Sequence, residues 1–246
     1  MERLQKQRFE LKYRISEAKA QQIRFFIQDY LQCDAYGATQ PDLSYSVNSL
    51  YIDSPNLKTY QDTINGDRNR FKLRLRYYNF DDSPVYFEVK RRLNKIILKK
   101  RAKVHRWAVN DLLAGQIPIV DFLVQQNSEE FAVLEEFSYL QNLLIAKPSM
   151  HVSYRREAYE MEQSNAVRIT FDRDVRSTVL KGVAFLTHDP GDFKVFGDEV
   201  ILELKFTDRF PNWLQELTEL FHLRQESVAK YVDSLEGLRF KKIQMA

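Results

Sequence analysis

Cysteine is nearly absent from this chain: Cys33 stands alone among 246 residues. A single thiol closes no intrachain disulfide and builds no thiolate zinc cluster. Glycine is scarce too, with seven residues in all. Neither GxxxxGK nor GxGxxG occurs, so any phosphate bound here is held by side chains, not by a glycine-rich backbone cradle. The four histidines, His105, His151, His188 and His222, show no HxH or HExxH spacing. No apolar run approaches the ~18–20 residues of a membrane-spanning helix. The N-terminus lacks the apolar core of a signal peptide. A soluble, cytoplasmic protein is expected. Linkers, repeats and low-complexity stretches are also missing, which predicts one domain over residues 1–246. Its 44% hydrophobic and 13% aromatic content suffices for a sizeable core.

What the chain has in quantity is short segments in which apolar and charged residues alternate. Phe71, Leu73, Leu75 and Tyr77 alternate with Lys72, Arg74 and Arg76. Phe87 and Val89 alternate with Glu88, Lys90 and Arg92, and Ile96, Leu98, Ala102 and Val104 with Lys99, Arg101 and Lys103. Strand side chains point to opposite faces with period two, so one face collects eight basic residues and a single acid, Glu88. The formal net charge is only +3, so the excess is local. A surface built for solubility intersperses both signs; a face this one-sided suits a polyanion.

The same alternation appears at Phe9–Ile15, 149–161, Val167–Phe171 and Val200–Phe206, and more weakly at Tyr45–Asp53. Helices are predicted from Ser16 to about Gln32, from Ser54-Pro55 to about Gly66, through 109–147 with Ser128 as a cap, and from Pro211 to about Leu223. A last short helix carries Ser227, Lys230 and Tyr231 and stops near Gly237. Turns are placed at Asp81-Asp82-Ser83-Pro84 and Asn94-Lys95. Two architectures satisfy six half-charged strands. One is an open antiparallel sheet with its charges in water. The other is a closed barrel with its charges inside and helices outside. Acids at matching offsets favour closure: Glu10 two before Lys12, Glu88 two before Lys90, Glu203 two before Lys205. Like charges about 4 Å apart repel by roughly 4 kcal/mol at an effective dielectric near 20, so a basic lumen calls for a counter-anion.

These segments resemble the VTC domain, the catalytic domain of the vacuolar transporter chaperone polyphosphate polymerase, in the triphosphate tunnel metalloenzyme superfamily related to CYTH proteins. The resemblance rests on RFELKY (8–13), SLYID (49–53), KLRLRYY (72–78), FEVKRR (87–92), SYRREAY (153–159), VRITFD (167–172), LELKF (202–206) and AKYV (229–232), and on the basic strand ending at Lys103. It implies an α+β fold: a closed antiparallel eight-stranded β-barrel with a basic interior, wrapped by helices. It implies phosphate binding by Lys12, Arg74, Arg76, Lys90, Lys103, Tyr154, Arg156, Arg168, Lys205 and Lys230, with Arg74, Arg76, Lys90, Arg156 and Arg168 acting in catalysis. Glu203 becomes a ligand for manganese or magnesium. Glu10 and Glu88 are either further metal ligands or structural partners of Lys12 and Lys90. Parity shows that Arg155 and Arg156 face opposite ways, and the resemblance selects Arg156.

The reaction it implies is transfer of the ATP γ-phosphoryl group to a polyphosphate chain. Two departures bear on this. The hydrolytic branch carries ExExK where this chain has Arg8, Glu10 and Lys12, and the family's usual serine before the last-helix lysine is Ala229 here. The alternatives are a triphosphatase acting on inorganic triphosphate or nucleotides, and a non-catalytic sensor of polyphosphate or nucleotide. Nucleic acid is disfavoured, since a closed lumen excludes a duplex. Any membrane partner is expected to be a separate polypeptide.

Overall fold

Alternation becomes strand wherever it was read. The computed structural model describes residues 8–78, 83–94, 96–162, 166–180 and 193–244. Its long strands are β1 (Arg8–Ile15), β3 (Ser44–Asp53), β4 (Asn69–Tyr77), β5 (Val85–Leu93), β6 (Ile96–Val104), β7 (Lys147–Glu160), β8 (Val167–Val179) and β10 (Val200–Thr207). Two-residue strands β2 (Gln32–Cys33) and β9 (Phe193–Lys194) join β7 and β8. The helices are α1 (Glu17–Ile27), α2 (Lys58–Ile64), α3 (Val109–Leu113), α4 (Ser128–Leu143), α5 (Asn212–Leu220) and α6 (Lys230–Gln244). The turn residues Asp81, Asp82 and Lys95, and His188, lie outside the described residues.

Strand order is β1-β10-β8-β7-β3-β4-β5-β6. Among the described residues no ladder joins β1 to β6, so the expected closed barrel is corrected to a sheet with two ends. Each end is covered by other chain, as exposed strand edges generally require. At β1, the Glu226 amide donates to the Lys12 carbonyl at 2.9 Å and Lys12 Nζ donates to the Val228 carbonyl at 2.9 Å. At β6, the His105 amide donates to Phe122 O and the Val124 amide to Lys103 O, both at 2.9 Å.

The chain divides into two compact units. One comprises residues 1–46, 154–175 and 196–229, and the other 47–153, 176–195 and 230–246. In the first, Tyr13, Ile15, Ile169, Phe171, Leu202 and Leu204 bury one sheet face with Ala20, Ile23 and Ile27 of α1 and Leu214 and Leu217 of α5. In the second, Leu73, Leu75, Phe87, Val89 and Ala102 pack with Leu134 and Phe137 of α4, where the Phe87 and Phe137 rings meet edge-on at 4.8 Å. Apolar packing on one side thus turns the charged residues of β1, β10, β4, β5 and β6 to the other side.

Several helix boundaries differ from expectation. Ser16 caps α1, its Oγ accepting from Lys19 N at 3.3 Å, but the helix ends at Ile27. The helix after β3 begins at Lys58, because Leu57 is left-handed (φ 58°) and the Asp53 carboxylate accepts from the Thr59 and Tyr60 amides at 2.9 and 3.1 Å. The stretch 109–147 breaks into α3 and α4, and Asn127, not Ser128, caps α4. Ser227 precedes α6, which runs on past Gly237.

Gly237 is there for space, not as a stop signal. A Cβ on it would sit 2.5 Å from two ring atoms of Phe193. Glycine to alanine inside a helix ordinarily stabilises by about 1 kcal/mol. Here Gly237→Ala is expected to lower Tm by about 2–4 °C. Adding Phe193→Ala should cancel the clash, so that alanine at 237 raises Tm in that background. A stabilised single variant in a thermal melt would refute the close approach.

Candidate functional site

Register, not proximity in sequence, assembles the charged face of β4, β5 and β6. Ser49, Arg76, Tyr86 and Lys103 lie side by side across four strands. The next rung is Tyr51, Arg74, Glu88 and Arg101. Beyond it stand Lys72, Lys90 and Lys99, and then Arg70 opposite Arg92. These rungs hold nine cations and one carboxylate.

That carboxylate is clasped. Glu88 is 1% exposed and lies 2.5 Å from Arg74 Nε and 2.6 Å from Lys99 Nζ. Burial alone would raise its pKa, but Arg74, Arg76 and Lys99 outweigh burial and hold it well below the carboxylate range. Glu88 therefore stays ionised and extends Arg74 along the face. Lys99 responds the other way. Burial of its ammonium, with Arg74 and Arg76 beside it, overcomes the pull of Glu88 and draws its pKa down to about 7. Its side chain still keeps 40% exposure, so solvent reaches it. The Tyr51 phenol, in the field of Arg74, Arg76 and Lys72, has a lowered pKa despite burial. Arg76 donates to Ser49 Oγ at 3.4 Å. Arg101 and Lys103 lie over the Tyr86 ring at 5.3 and 5.9 Å.

Lys230, expected as a phosphate ligand, is buried at the start of α6. Its neighbour Tyr231 donates to Asp53 at 2.8 Å and stacks on Tyr51 at 4.8 Å. Asp53 thus anchors both α2 and α6 to the end of β3.

The other unit carries a balanced face. Lys12 Nζ lies 3.0 Å from Glu10 and 3.5 Å from Glu203. Lys205 reaches Glu203 at 2.7 Å, and burial lowers its pKa against the pull of Glu203 and Glu10. Arg156 forks onto Asp172 at 2.7 and 2.8 Å, and lies 3.9 Å from Glu203 and 5.2 Å from the Tyr154 ring centre. Arg168 meets Asp34 at 2.6 Å and also Glu160. Arg155 is turned to Asp42, Ser44 and Ser46. In this unit Lys12, Arg156, Arg168 and Lys205 all have carboxylate partners, so an incoming anion must compete with acids. On the β4–β6 face cations outnumber the single acid.

The sequence model of the VTC domain matches residues 7–239. The chain belongs to the VTC domain family. No curated protein matches it. Among solved structures, a candidate adenylate cyclase from Bacillus halodurans is similar in fold, with a TM-score of 0.50 and 13% identity over 89% of this chain and 92% of that one. A Hippeastrum protein, titled a candidate adenylyl cyclase with a dominant triphosphatase activity, gives a TM-score of 0.49 and 11% identity over 94% and 96%.

Carboxylates are the side chains that would hold a divalent ion here. Among the described residues no three His, Cys, Asp or Glu side chains gather to hold an ion. Glu10 and Glu203, however, share the Lys12 ammonium. Two carboxylates suit magnesium-type cations, which take their remaining ligands from water and phosphate. Glu88, enclosed by Arg74 and Lys99, has the structural-partner arrangement.

Lys72 and Lys99 belong to the basic face read from sequence but not to the binding set the resemblance implies, and Tyr51, Asp53 and Tyr231 carry no expected role in this VTC domain. What singles them out is cross-strand register and helix packing, which no one segment of sequence carries.

Lys99 is expected to make any anion binding at this face pH-dependent. Its folded pKa of about 7 lies below the ordinary lysine value, so between the two the folded state holds fewer protons than the unfolded state. Stability of the ligand-free protein therefore rises with pH through that window. A bound anion restores the proton, so tripolyphosphate binding at pH 8 should take up protons and weaken as pH rises. Calorimetry in buffers of different ionisation heat measures this. Lys99→Met should remove that uptake, and unchanged uptake in the variant would overturn the assignment.

Proposed function

We propose that this VTC domain is a polyphosphate polymerase-like enzyme that transfers the γ-phosphoryl group of ATP to a polyphosphate chain. The observation that carries the reading is the β4–β6 face, where Arg74, Arg76, Lys72, Lys90, Lys99, Arg101 and Lys103 stand in register around one acid. Family membership agrees with it. Phosphoryl transfer asks little covalent help from protein; positioning and charge stabilisation do most of the work. A terminal oxygen of the acceptor chain attacks the γ-phosphorus, the bond from that phosphorus to the bridging oxygen breaks, and ADP leaves with the electron pair.

Arg74 and Arg76 are suited to the phosphates because planar guanidinium forks grip two oxygens each. Glu88 holds Arg74 in place for this. Lys90 and Lys103 act as point charges along the chain, and Lys230 and Tyr154 remain assigned to phosphate by the family pattern. Arg156, Arg168, Lys12 and Lys205 carry the same assignment, each bound to release or share a carboxylate when it acts. Glu203 and Glu10 are the proposed carboxylates for manganese or magnesium, which when bound would neutralise charge on phosphate oxygens.

Incubation with ATP and manganese, followed by assay of ADP, free phosphate and long-chain polyphosphate, tests the reading. Long chains with stoichiometric ADP are expected. Free phosphate without chains would replace it with hydrolysis, and tight binding without turnover with a sensor. Tripolyphosphate at 100 times its Kd should stabilise the protein by about 2.7 kcal/mol. Arg74→Ala should weaken that binding by about tenfold, the scale of a lost charge-assisted hydrogen bond. Unchanged affinity would remove Arg74 from the site.

A further inference from the structure

Three buried tyrosines give their phenol hydrogen to a carboxylate. Tyr45 donates to Asp34 at 3.0 Å, Tyr159 to Glu157 at 2.5 Å and Tyr231 to Asp53 at 2.8 Å. Burial raises the pKa of each, and the neighbouring carboxylate raises it further. Tyr51 is placed differently. It is as well buried, with 8% exposure, but its cross-strand partner is Arg74, and Ser49 and Arg76 form the next rung. Burial works to raise its pKa too. Arg74, Arg76 and Lys72 outweigh burial and lower it, Arg74 also as a hydrogen-bond donor to the phenol oxygen. The oxygen thus has a donor, while the hydrogen faces guanidinium and ammonium groups that can only donate. Among the described residues no carboxylate or carbonyl accepts that hydrogen.

The ring is held in this place. Tyr231 of α6 stacks on it, with ring centres 4.8 Å apart and planes at 17°. Tyr231 is fixed in turn by Asp53, whose carboxylate also accepts from the Ser54, Thr59 and Tyr60 amides. A donor without an acceptor, braced among cations, is arranged for an anion that brings the acceptor with it. A neutral donor also suits so crowded a face. Like charges about 4 Å apart repel by roughly 4 kcal/mol at an effective dielectric near 20. A phenol supplies a hydrogen bond without adding to that repulsion.

We propose that Tyr51 contacts the substrate directly, its hydroxyl donating to a non-bridging oxygen of the phosphate gripped by Arg74 and Arg76. This rests on the function proposed above and adds to it an uncharged donor at the centre of the cationic face. The bound phosphate then takes both forks of the arginines and the phenol hydrogen, and Arg74 is shared between the phosphate and Glu88.

Tyr51→Phe in the full chain tests the contact, because phenylalanine keeps the stack on Tyr231 and removes only the hydroxyl. Calorimetric titration with tripolyphosphate should give an affinity about tenfold weaker than the parent's. The ligand-free variant should keep the parent's Tm within about 2 °C, since the hydroxyl donates to nothing inside the protein. The parent alone gives a second readout in ultraviolet absorbance. A tyrosinate step should appear below the ordinary tyrosine value of about 10. Saturating tripolyphosphate should move that step upward, because the anion offsets Arg74 and Arg76 and accepts the phenol hydrogen. Unchanged affinity in the variant, or a parent whose tyrosinate step is absent or unmoved by the ligand, overturns the contact while leaving the proposed function standing. A parent that binds neither tripolyphosphate nor ATP overturns the proposed function, and the Tyr51 contact with it.

Discussion

Cross-strand register between β4, β5 and β6 is the constraint on which the charged face depends. Apolar residues on the far side bury against α4 and leave no freedom to slip by one residue, since a slip would send Leu73, Phe87 and Ala102 to solvent. With register held by the core, Lys72, Lys90 and Lys99 are forced abreast, and Glu88 is delivered to Arg74. Burial on one side of the sheet thus sets the arrangement of charge on the other.

The two units solve the same problem of charged strands in opposite ways. Around Glu203, each base has an acid within reach, and Arg156 is locked by a buried, bidentate partner in Asp172. On such a face an incoming anion competes with acids already in place. Around Arg74 the strands themselves carry nine cations and one buried carboxylate, Glu88. Burial and the neighbouring arginines draw the Lys99 pKa down to about 7 against the pull of Glu88.

Much of this was legible in sequence. Alternation located every long strand, and the basic excess of residues 70–103 pointed to a polyanion before any coordinates. Parity separated Arg155 from Arg156, although only family resemblance chose between them. What was illegible was anything requiring two segments at once. Lys99 and Lys103 look alike on β6; only pairing with Lys90 and Tyr86 tells them apart. Gly237 looked like a helix stop because the Phe193 ring against it comes from a distant strand. Barrel closure failed as an expectation because the edges of β1 and β6 are taken by Glu226 and by Phe122 and Val124, residues with no strand pattern of their own.

The covering of β1 also orders events during synthesis. Both neighbours of this first strand, β10 and the stretch around Glu226, follow it by some 190 residues or more. While a ribosome is still translating, Arg8–Ile15 has no ladder partner, and its Phe9, Leu11, Tyr13 and Ile15 wait uncovered. Nascent chains cut short before Val200 would present that bare template to one another, a characteristic opening for aggregation. Synthesis of β10 and the stretch around Glu226, not collapse of the early segments, is therefore what covers the first strand.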